Sequence, residues 1–324
     1  MNIVFHGKNA QTFFSNFESL LEDDHTIKLL PDTLESEEDI ACYAGADVIV
    51  GVKHDSSLPT LTKTKLFHVP GAGYDGLDLS LLPSTTTVCN CFGHEQAIVE
   101  YIISALLLRH VPLADADKKL RHGDWEYWAG GASGLRTELS SESIGIIGFG
   151  HIGKELASRA HAFGMDVSIA NRSIVEASNQ IKKYYAFDDL SSMLKDVDIV
   201  VNTLPLSKDT EGFIGQKEFK DMKRSAVFVN VGRGRVVDEK ALFDALNESR
   251  IASAVIDTWY VYPAGSESNP LPASLPFHEL DNVIMTPHMS GWTHGTVKRR
   301  QLTMARNINK LSKGDGDLVN IVST

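Results

Sequence analysis

Apolar residues recur along this chain with two periods, and the two alternate. Short apolar runs bounded by polar or turn-forming residues predict strands at residues 2–6, 26–30, 46–51, 65–69 and 86–90. Between the first two runs, Phe13, Phe14, Phe17, Leu20 and Leu21 fall at helical spacing and predict a helix over 12–21; residues 35–43 predict another. Residues 95–119 predict a long helical region, broken near Pro112 and apolar on more than one side, as a helix buried between two domains would be. A second series follows, with strands expected at 144–147, 166–170, 198–202, 226–231, 253–257 and 282–286 and a closing helix over 293–311. Strands alternating with helices imply βαβ units and parallel sheets, so the fold class is α/β. Residues 264–276, rich in Gly, Ser and Pro, are the most loop-like segment.

The second series is organised around residues 143–157. Its strand runs into Gly148-Phe149-Gly150-His151-Ile152-Gly153 and then into a helix carrying Ile152, Leu156, Ala157, Ala160 and Phe163 on one face, with Gly164 placed to stop it. In this pattern Gly148 permits the tight turn, Gly150 lets a pyrophosphate approach the backbone, and Gly153 lets helix and strand pack closely. The free N–H groups of the helix start then face the phosphates. The strand before and the helix after distinguish this stretch from a glycine-rich turn, and point to a dinucleotide site over Gly148, Gly150, His151, Ile152 and Gly153. About 20 residues beyond the glycines, NAD enzymes place an acidic residue on the ribose 2′-OH. This chain has Asn171-Arg172-Ser173 there. Without a carboxylate a 2′-phosphate is not repelled, and Arg172 and Ser173 can bind it by charge and hydrogen bond. NADP(H) is therefore favoured, with NAD(H) as the alternative if Arg172 instead lies flat on the adenine.

Composition narrows the class further. A length of 324 residues allows two cores, and 43% hydrophobic with 23% charged residues is the balance of a soluble globular protein. The net charge of −11 argues against a nucleic-acid or anionic membrane partner, though a local basic pocket can still hold a small acid. Cys42, Cys89 and Cys91 lack metal-ligand spacing, so no metal is expected, and reduced thiols in a cytoplasm are the simpler reading. The chain opens on a strand without the regions of a signal peptide, and the apolar segment 97–108, interrupted by Glu100, is too short to span a bilayer.

Several stretches in order carry a more specific pattern: Gly71-Ala-Gly-Tyr-Asp-Gly-Leu-Asp, Asn90-Cys-Phe-Gly-His-Glu, the glycine fingerprint, Leu204-Pro-Leu-Ser-Lys-Asp-Thr, Asn230-Val-Gly-Arg-Gly, Ile256-Asp-Thr-Trp and Thr286-Pro-His-Met-Ser-Gly-Trp. Together they resemble the D-isomer-specific 2-hydroxyacid dehydrogenase family over nearly the whole chain. The resemblance implies two Rossmann-like domains with doubly wound parallel sheets. A dinucleotide-binding domain at 101–289 would be inserted into a discontinuous, flavodoxin-like substrate domain at 1–100 and 290–324, with the site in the cleft and a homodimer as the assembly. It further implies reduction of a small 2-oxo acid, such as glyoxylate or hydroxypyruvate, to the D-2-hydroxy acid with NADPH. Phosphite- or formate-type dehydrogenation on the same scaffold, or a dinucleotide-sensing co-repressor without turnover, are the competing readings; retention of His288 and Arg233 favours an enzyme over the co-repressor.

On the resemblance, His288 carries the proton, since an imidazole titrating near neutrality serves both directions. Arg233, at the end of a buried strand, would hold the substrate carboxylate and polarise the carbonyl, with Arg235 as the competing candidate. Backbone N–H groups around Ala72 and Gly73 would make a second carboxylate contact. Leu204, Pro205, Val231, Gly232, Asp257, His288 and Gly291 would line the cofactor; Asp257 would meet the nicotinamide carboxamide, although an aspartate at a strand end is otherwise a turn former. One position departs from the family. Tyr262 stands where a glutamate usually pairs with the catalytic histidine, so it is expected to face His288 and orient the ring without adding negative charge, leaving His288 to titrate lower than in glutamate-bearing relatives. Glu267 or Glu279 would be the alternative partner. Val52, Lys53, His54, Tyr74, Trp292 and His294 are candidates for the pocket lining, Tyr260 for its wall, and 298–300 for a solvated basic face.

Overall fold

The computed structural model describes residues 1–176, 178–263 and 269–322. The chain splits into two compact units, Met1–His94 with Trp292–Thr324, and Glu95–Gly291. The breaks thus fall at 94/95 and 291/292 rather than at 100/101 and 289/290. The earlier break keeps one helix whole, because Ile98, Val99, Ile102 and Leu106 all pack into the core of the second unit.

The first unit is a five-stranded parallel sheet, β1 (Asn2–His6), β2 (Thr26–Leu30), β3 (Val48–Val50), β4 (Leu66–His68) and β5 (Thr87–Cys89), in the order β2-β1-β3-β4-β5. Alternate residues feed two apolar clusters, Ile3, Phe5, Val48, Val50 and Leu66 in one and Val4, Ile49, Phe67 and Val88 in the other. Covered on both faces, β1, β3, β4 and β5 read as apolar runs, whereas the edge strand β2 is largely exposed. Helix α1 (Gly7–Phe14) begins and ends before the helix expected over 12–21. Asn16, at φ 59, turns the backbone out of the helix, and Leu20 lies in a separate turn of 3₁₀ helix, Glu18–Leu20. Helix α2 (Glu37–Ala44) starts on Ser36, whose side chain accepts the Asp39 N–H at 3.0 Å.

The second unit opens with α3 (Glu95–His110) and α4 (Leu113–Leu120), broken ahead of Pro112 as the sequence predicts. Among the described residues no single helix is long and apolar enough to cross a membrane. Seven parallel strands follow: β6 (Ser143–Ile147), β7 (Asp166–Asn171), β8 (Lys183–Ala186), β9 (Ile199–Asn202), β10 (Val227–Asn230), β11 (Ser253–Ile256) and β12 (Val283–Met285), in the order β12-β11-β10-β9-β6-β7-β8. Helices α5 (His151–Ala162), α6 (Leu190–Asp196), α7 (Gln216–Asp221) and α8 (Glu239–Asn247) connect them. Helix α5 buries Leu156, Ala157 and Ala160, but Phe163, expected on the same face, is 43% exposed because the helix ends at Ala162 and Gly164 turns at φ 79.

Helix α9 (His294–Ser312) returns to the first unit and packs Met304, Ala305 and Ile308 against Ile3 and Phe5. Of residues 298–300, expected to form a solvated face, Lys298 is exposed, Arg299 half-buried and Arg300 buried. Thr296, Arg300 and Met304 share one helical stripe and are buried, and Arg299 Nε donates to Gly93 O at 2.7 Å. On the same helix, Asn307 Nδ2 donates to His68 Nε2 at 3.0 Å. Complete burial lowers the His68 pKa to about 4, so its ring is neutral at pH 7 and free to accept that bond.

Candidate active site

The glycine turn follows β6. Gly148 adopts φ 97, and its N–H donates to Ala170 O at 2.8 Å, while a Cβ on Gly153 would lie 2.2 Å from Gly148 O. Both positions exclude a side chain. A Cβ on Gly150 would instead meet nothing within 4 Å, so the space above that residue is open. Helix α5 starts there with no side-chain cap, leaving first-turn N–H groups directed outward. Beside it, His151 Nδ1 is 3.8 Å from Glu95 Oε1.

Asn171, the last residue of β7, spends its side chain on the protein itself. Phe149 N donates to its Oδ1 at 3.2 Å, and its Nδ2 donates to Ser173 O at 2.9 Å. Tyr184 Oη donates to the Asn171 carbonyl at 3.2 Å. The turn after β7 is therefore fixed to the glycine loop, and Arg172 and Ser173 stand exposed on it.

Strands β9 and β10 both end in a buried asparagine; Asn230 opens one of the sequence motifs, but Asn202 belongs to none of them. Asn202 Nδ2 donates to Asn230 Oδ1 at 2.9 Å, Leu204 N donates to Asn202 Oδ1 at 3.1 Å, and Asn230 Nδ2 reaches Arg233 O at 3.4 Å. This pair fixes the loops carrying Leu204-Pro205 and Val231-Gly232-Arg233. Arg233 is half-buried, with Nη1 donating to Gly232 O at 2.9 Å. Arg235, its competitor, is exposed and paired with Glu211 at 2.5 Å.

After β12 the chain forms the turn that presents His288. Its φ is 55, a left-handed conformation that costs on the order of 1–3 kcal/mol for a residue with a side chain. Asp257, fully buried just beyond β11, holds this turn. Its carboxylate accepts from Thr286 Oγ1 at 2.7 Å, Met289 N at 2.8 Å and Ser290 N at 3.0 Å. These three bonds tie the turn at 286–290 to the end of β11. Tyr101 Oη lies 2.7 Å from Thr286 Oγ1 and extends the chain of bonds to α3. Tyr262 Oη lies 3.0 Å from His288 Nδ1, so the two residues do face each other. Glu279 is exposed beside His278, and Glu267 lies outside the described residues.

In the first unit, Ala72 and Gly73 sit on the loop after β4. Asn90 Nδ2 donates to Ala72 O at 2.8 Å and Cys91 N to Gly71 O at 2.9 Å. Among the described residues, neither the Ala72 nor the Gly73 N–H has an acceptor. Some pocket candidates turn out to be packed side chains. His54 is buried with Nδ1 2.9 Å from Tyr43 Oη, and Tyr260 is largely buried against Phe277, whereas Trp292 meets Phe13 edge-on but stays exposed. Val52, Lys53, Tyr74 and His294 remain exposed.

Residues 103–290 match the family model described as D-isomer specific 2-hydroxyacid dehydrogenase, NAD binding domain. The chain is 29% identical over 329 residues to glyoxylate/hydroxypyruvate reductase B of Escherichia fergusonii, covering 98% of this chain and 96% of the relative. It is 31% identical over 280 residues to the protein of the same name from Klebsiella pneumoniae subsp. pneumoniae, covering 83% and 81%. The solved structure of a D-isomer specific 2-hydroxyacid dehydrogenase family protein from Aeromonas salmonicida subsp. salmonicida superposes with a TM-score of 0.80 over 99% of this chain and 98% of that one, at 22% identity. With the family model covering more than half of its length, the chain belongs to the D-isomer specific 2-hydroxyacid dehydrogenases, NAD(P)-dependent oxidoreductases.

Proposed function

We propose that the chain reduces a small 2-oxo acid to its D-2-hydroxy acid with NADPH, reversibly. The observation that carries this reading is the Tyr262–His288 pair on a strained turn capped by Asp257. The names of the relatives point to glyoxylate or hydroxypyruvate as the size of substrate.

The residues present fit a dinucleotide. The open space over Gly150 and the uncapped start of α5 suit a pyrophosphate. Arg172 and Ser173, on their braced turn, suit a 2′-phosphate that no carboxylate repels. Gly148, His151, Ile152, Gly153, Leu204, Pro205, Val231, Gly232 and Gly291 would complete the contacts, with Asn171 and Asp257 acting through the turns they hold. Bound there, the dinucleotide supplies the hydride that C2 accepts.

The chain's own residues handle charge and proton. Arg233 grips the substrate carboxylate in a fork and polarises the C2 carbonyl. His288 as imidazolium gives its Nε2 proton to the C2 oxygen, while Nδ1–H donates to Tyr262 Oη. That second bond is the same before and after transfer, so the ring keeps its orientation in both directions.

Initial rates with NADPH and NADH across a panel of 2-oxo acids test the reading. NADPH should be the better cofactor, and Arg172→Ala should weaken NADPH about 10- to 100-fold while leaving NADH nearly unchanged, the worth of one charge-assisted hydrogen bond. A preference for NADH in the unmodified protein overturns the cofactor assignment. No turnover on any acid, with tight dinucleotide binding, overturns the enzyme reading in favour of a sensor.

We assign the contact surface of a homodimer to the segment between α3 and β6. Leu113, Trp125, Trp128 and Leu135 are 71%, 67%, 58% and 84% exposed, an apolar stretch of a kind that marks contact surfaces. Its base is closed by His110 Nδ1, 2.8 Å from Thr137 Oγ1, and by Arg136 Nη1 donating to His110 O at 3.0 Å. Sedimentation should give twice the chain mass, and Trp125→Ser with Trp128→Ser should give the monomer; a monomeric unmodified protein removes the assignment.

A further inference from the structure

Trp259 belongs to none of the roles assigned above, yet it touches three of the turns that carry them. It stands three residues beyond β11 and is 5% exposed. Its backbone N–H donates to Tyr262 Oη at 3.1 Å. Its indole Nε1–H donates to Thr286 O at 2.8 Å. Its carbonyl oxygen lies 2.1 Å from where a Cβ on Gly234 would stand, so the backbone of the Arg233-Gly234 turn rests directly on it.

These contacts have a common consequence. The Thr286 carbonyl accepts both the Trp259 indole N–H and, at 3.0 Å, the His288 N–H. It is the base of the turn that holds His288 at positive φ, and the indole fixes it in place. An edge-on contact with Phe277, centroids 6.0 Å apart, sets the orientation of the indole. Indole nitrogen is a donor only, so it serves a carbonyl and cannot be satisfied in reverse. Meanwhile the Trp259 N–H fills one acceptor site of Tyr262 Oη and leaves the other directed to the ring of His288.

We propose that Trp259 is a positioning residue that sets His288 and its Tyr262 partner in register with the Arg233 turn, through its indole N–H, its backbone N–H and its carbonyl face. The proposal rests on the roles given to His288 and Arg233 under the functional reading, and turnover by the unmodified enzyme tests that reading separately. Phenylalanine keeps a ring against Phe277 but loses the indole donor, so Trp259→Phe isolates the bond to Thr286.

Trp259→Phe should lower kcat for 2-oxo acid reduction about tenfold, the effect of one hydrogen bond, with KM and the equilibrium Kd for NADPH each within about twofold. Tyr262→Phe should cost less in that background than in the unmodified enzyme, because the two residues act through one ring. Independently of turnover, the imidazole signals of His288 in NMR spectra should shift in Trp259→Phe. Gly234→Ala, which forces a Cβ against the Trp259 carbonyl, should lower kcat/KM with unchanged NADPH affinity, and serves if Trp259→Phe does not fold. An unchanged kcat and unchanged His288 signals in folded Trp259→Phe overturn the proposal. So do fully additive losses with Tyr262→Phe, a parallel loss of NADPH affinity, which would mark a merely structural residue, or full activity in Gly234→Ala.

Discussion

Replacing His288 with asparagine is expected to lower kcat/KM for the 2-oxo acid by about 10²–10⁴-fold, the range that a positioned general acid contributes. Asparagine tolerates positive φ, so the turn at φ 55 should survive and the loss should report the proton rather than the backbone. NADPH affinity, measured by fluorescence titration, should stay within about threefold, since the glycine turn and the 171–173 turn do not depend on the imidazole. The loss should fall mainly on kcat, because the proton moves only in the transition state. A variant retaining a third of the activity would show that another group carries the proton, and the role given to His288 would have to be abandoned.

The second large effect belongs to Arg233. Arg233→Lys should lower kcat/KM about 10²–10³-fold, because an ammonium cannot reproduce the planar fork that engages a carboxylate with two parallel bonds. KM should rise and kcat fall together: the carboxylate contact exists in the bound substrate, whereas carbonyl polarisation strengthens as charge develops on the oxygen. Arg235→Ala is the control. That side chain is exposed and paired with Glu211, so kcat/KM should change less than about twofold, as surface ion pairs contribute little. Equal losses in the two variants would remove the assignment.

How much of this was legible in the chain differs between elements for physical reasons. Most strands could be read because both faces of each sheet are covered, which turns them into uninterrupted apolar runs such as Ile199–Asn202 and Val227–Asn230. Strand β8, Lys183-Tyr-Tyr-Ala, was missed: it lies at the sheet edge, pairs only with β7 and keeps one lysine and half its surface exposed. The helix around Phe13 was displaced because its end is set by the backbone of Asn16, which side-chain periodicity does not report.

The site was legible where a residue departs from a pattern and obscure where a role depends on distant partners. Tyr262 could be paired with His288 because it occupies the slot of a residue whose partner the family supplies. Asp257 binds three donors from the turn at 286–290, partners about 30 positions away that its place at a strand end does not report. Asn202 stood in no motif, and Trp259, although it closes Ile256-Asp-Thr-Trp, carried no role. A buried asparagine at a strand end and a buried tryptophan look like ordinary core residues until the groups they bond, 28 and 27 positions away, are known.

The return of α9 to the first sheet bears on how the polypeptide is born. Ile3 and Phe5 leave the ribosome about 300 residues ahead of Met304, Ala305 and Ile308, which cover them. The continuous stretch from Glu95 to Gly291 can complete its own core during synthesis, whereas the strands that pack under α9 must wait, with apolar surface bare, until α9 itself has been made. That interval is when chaperones have the most to shield.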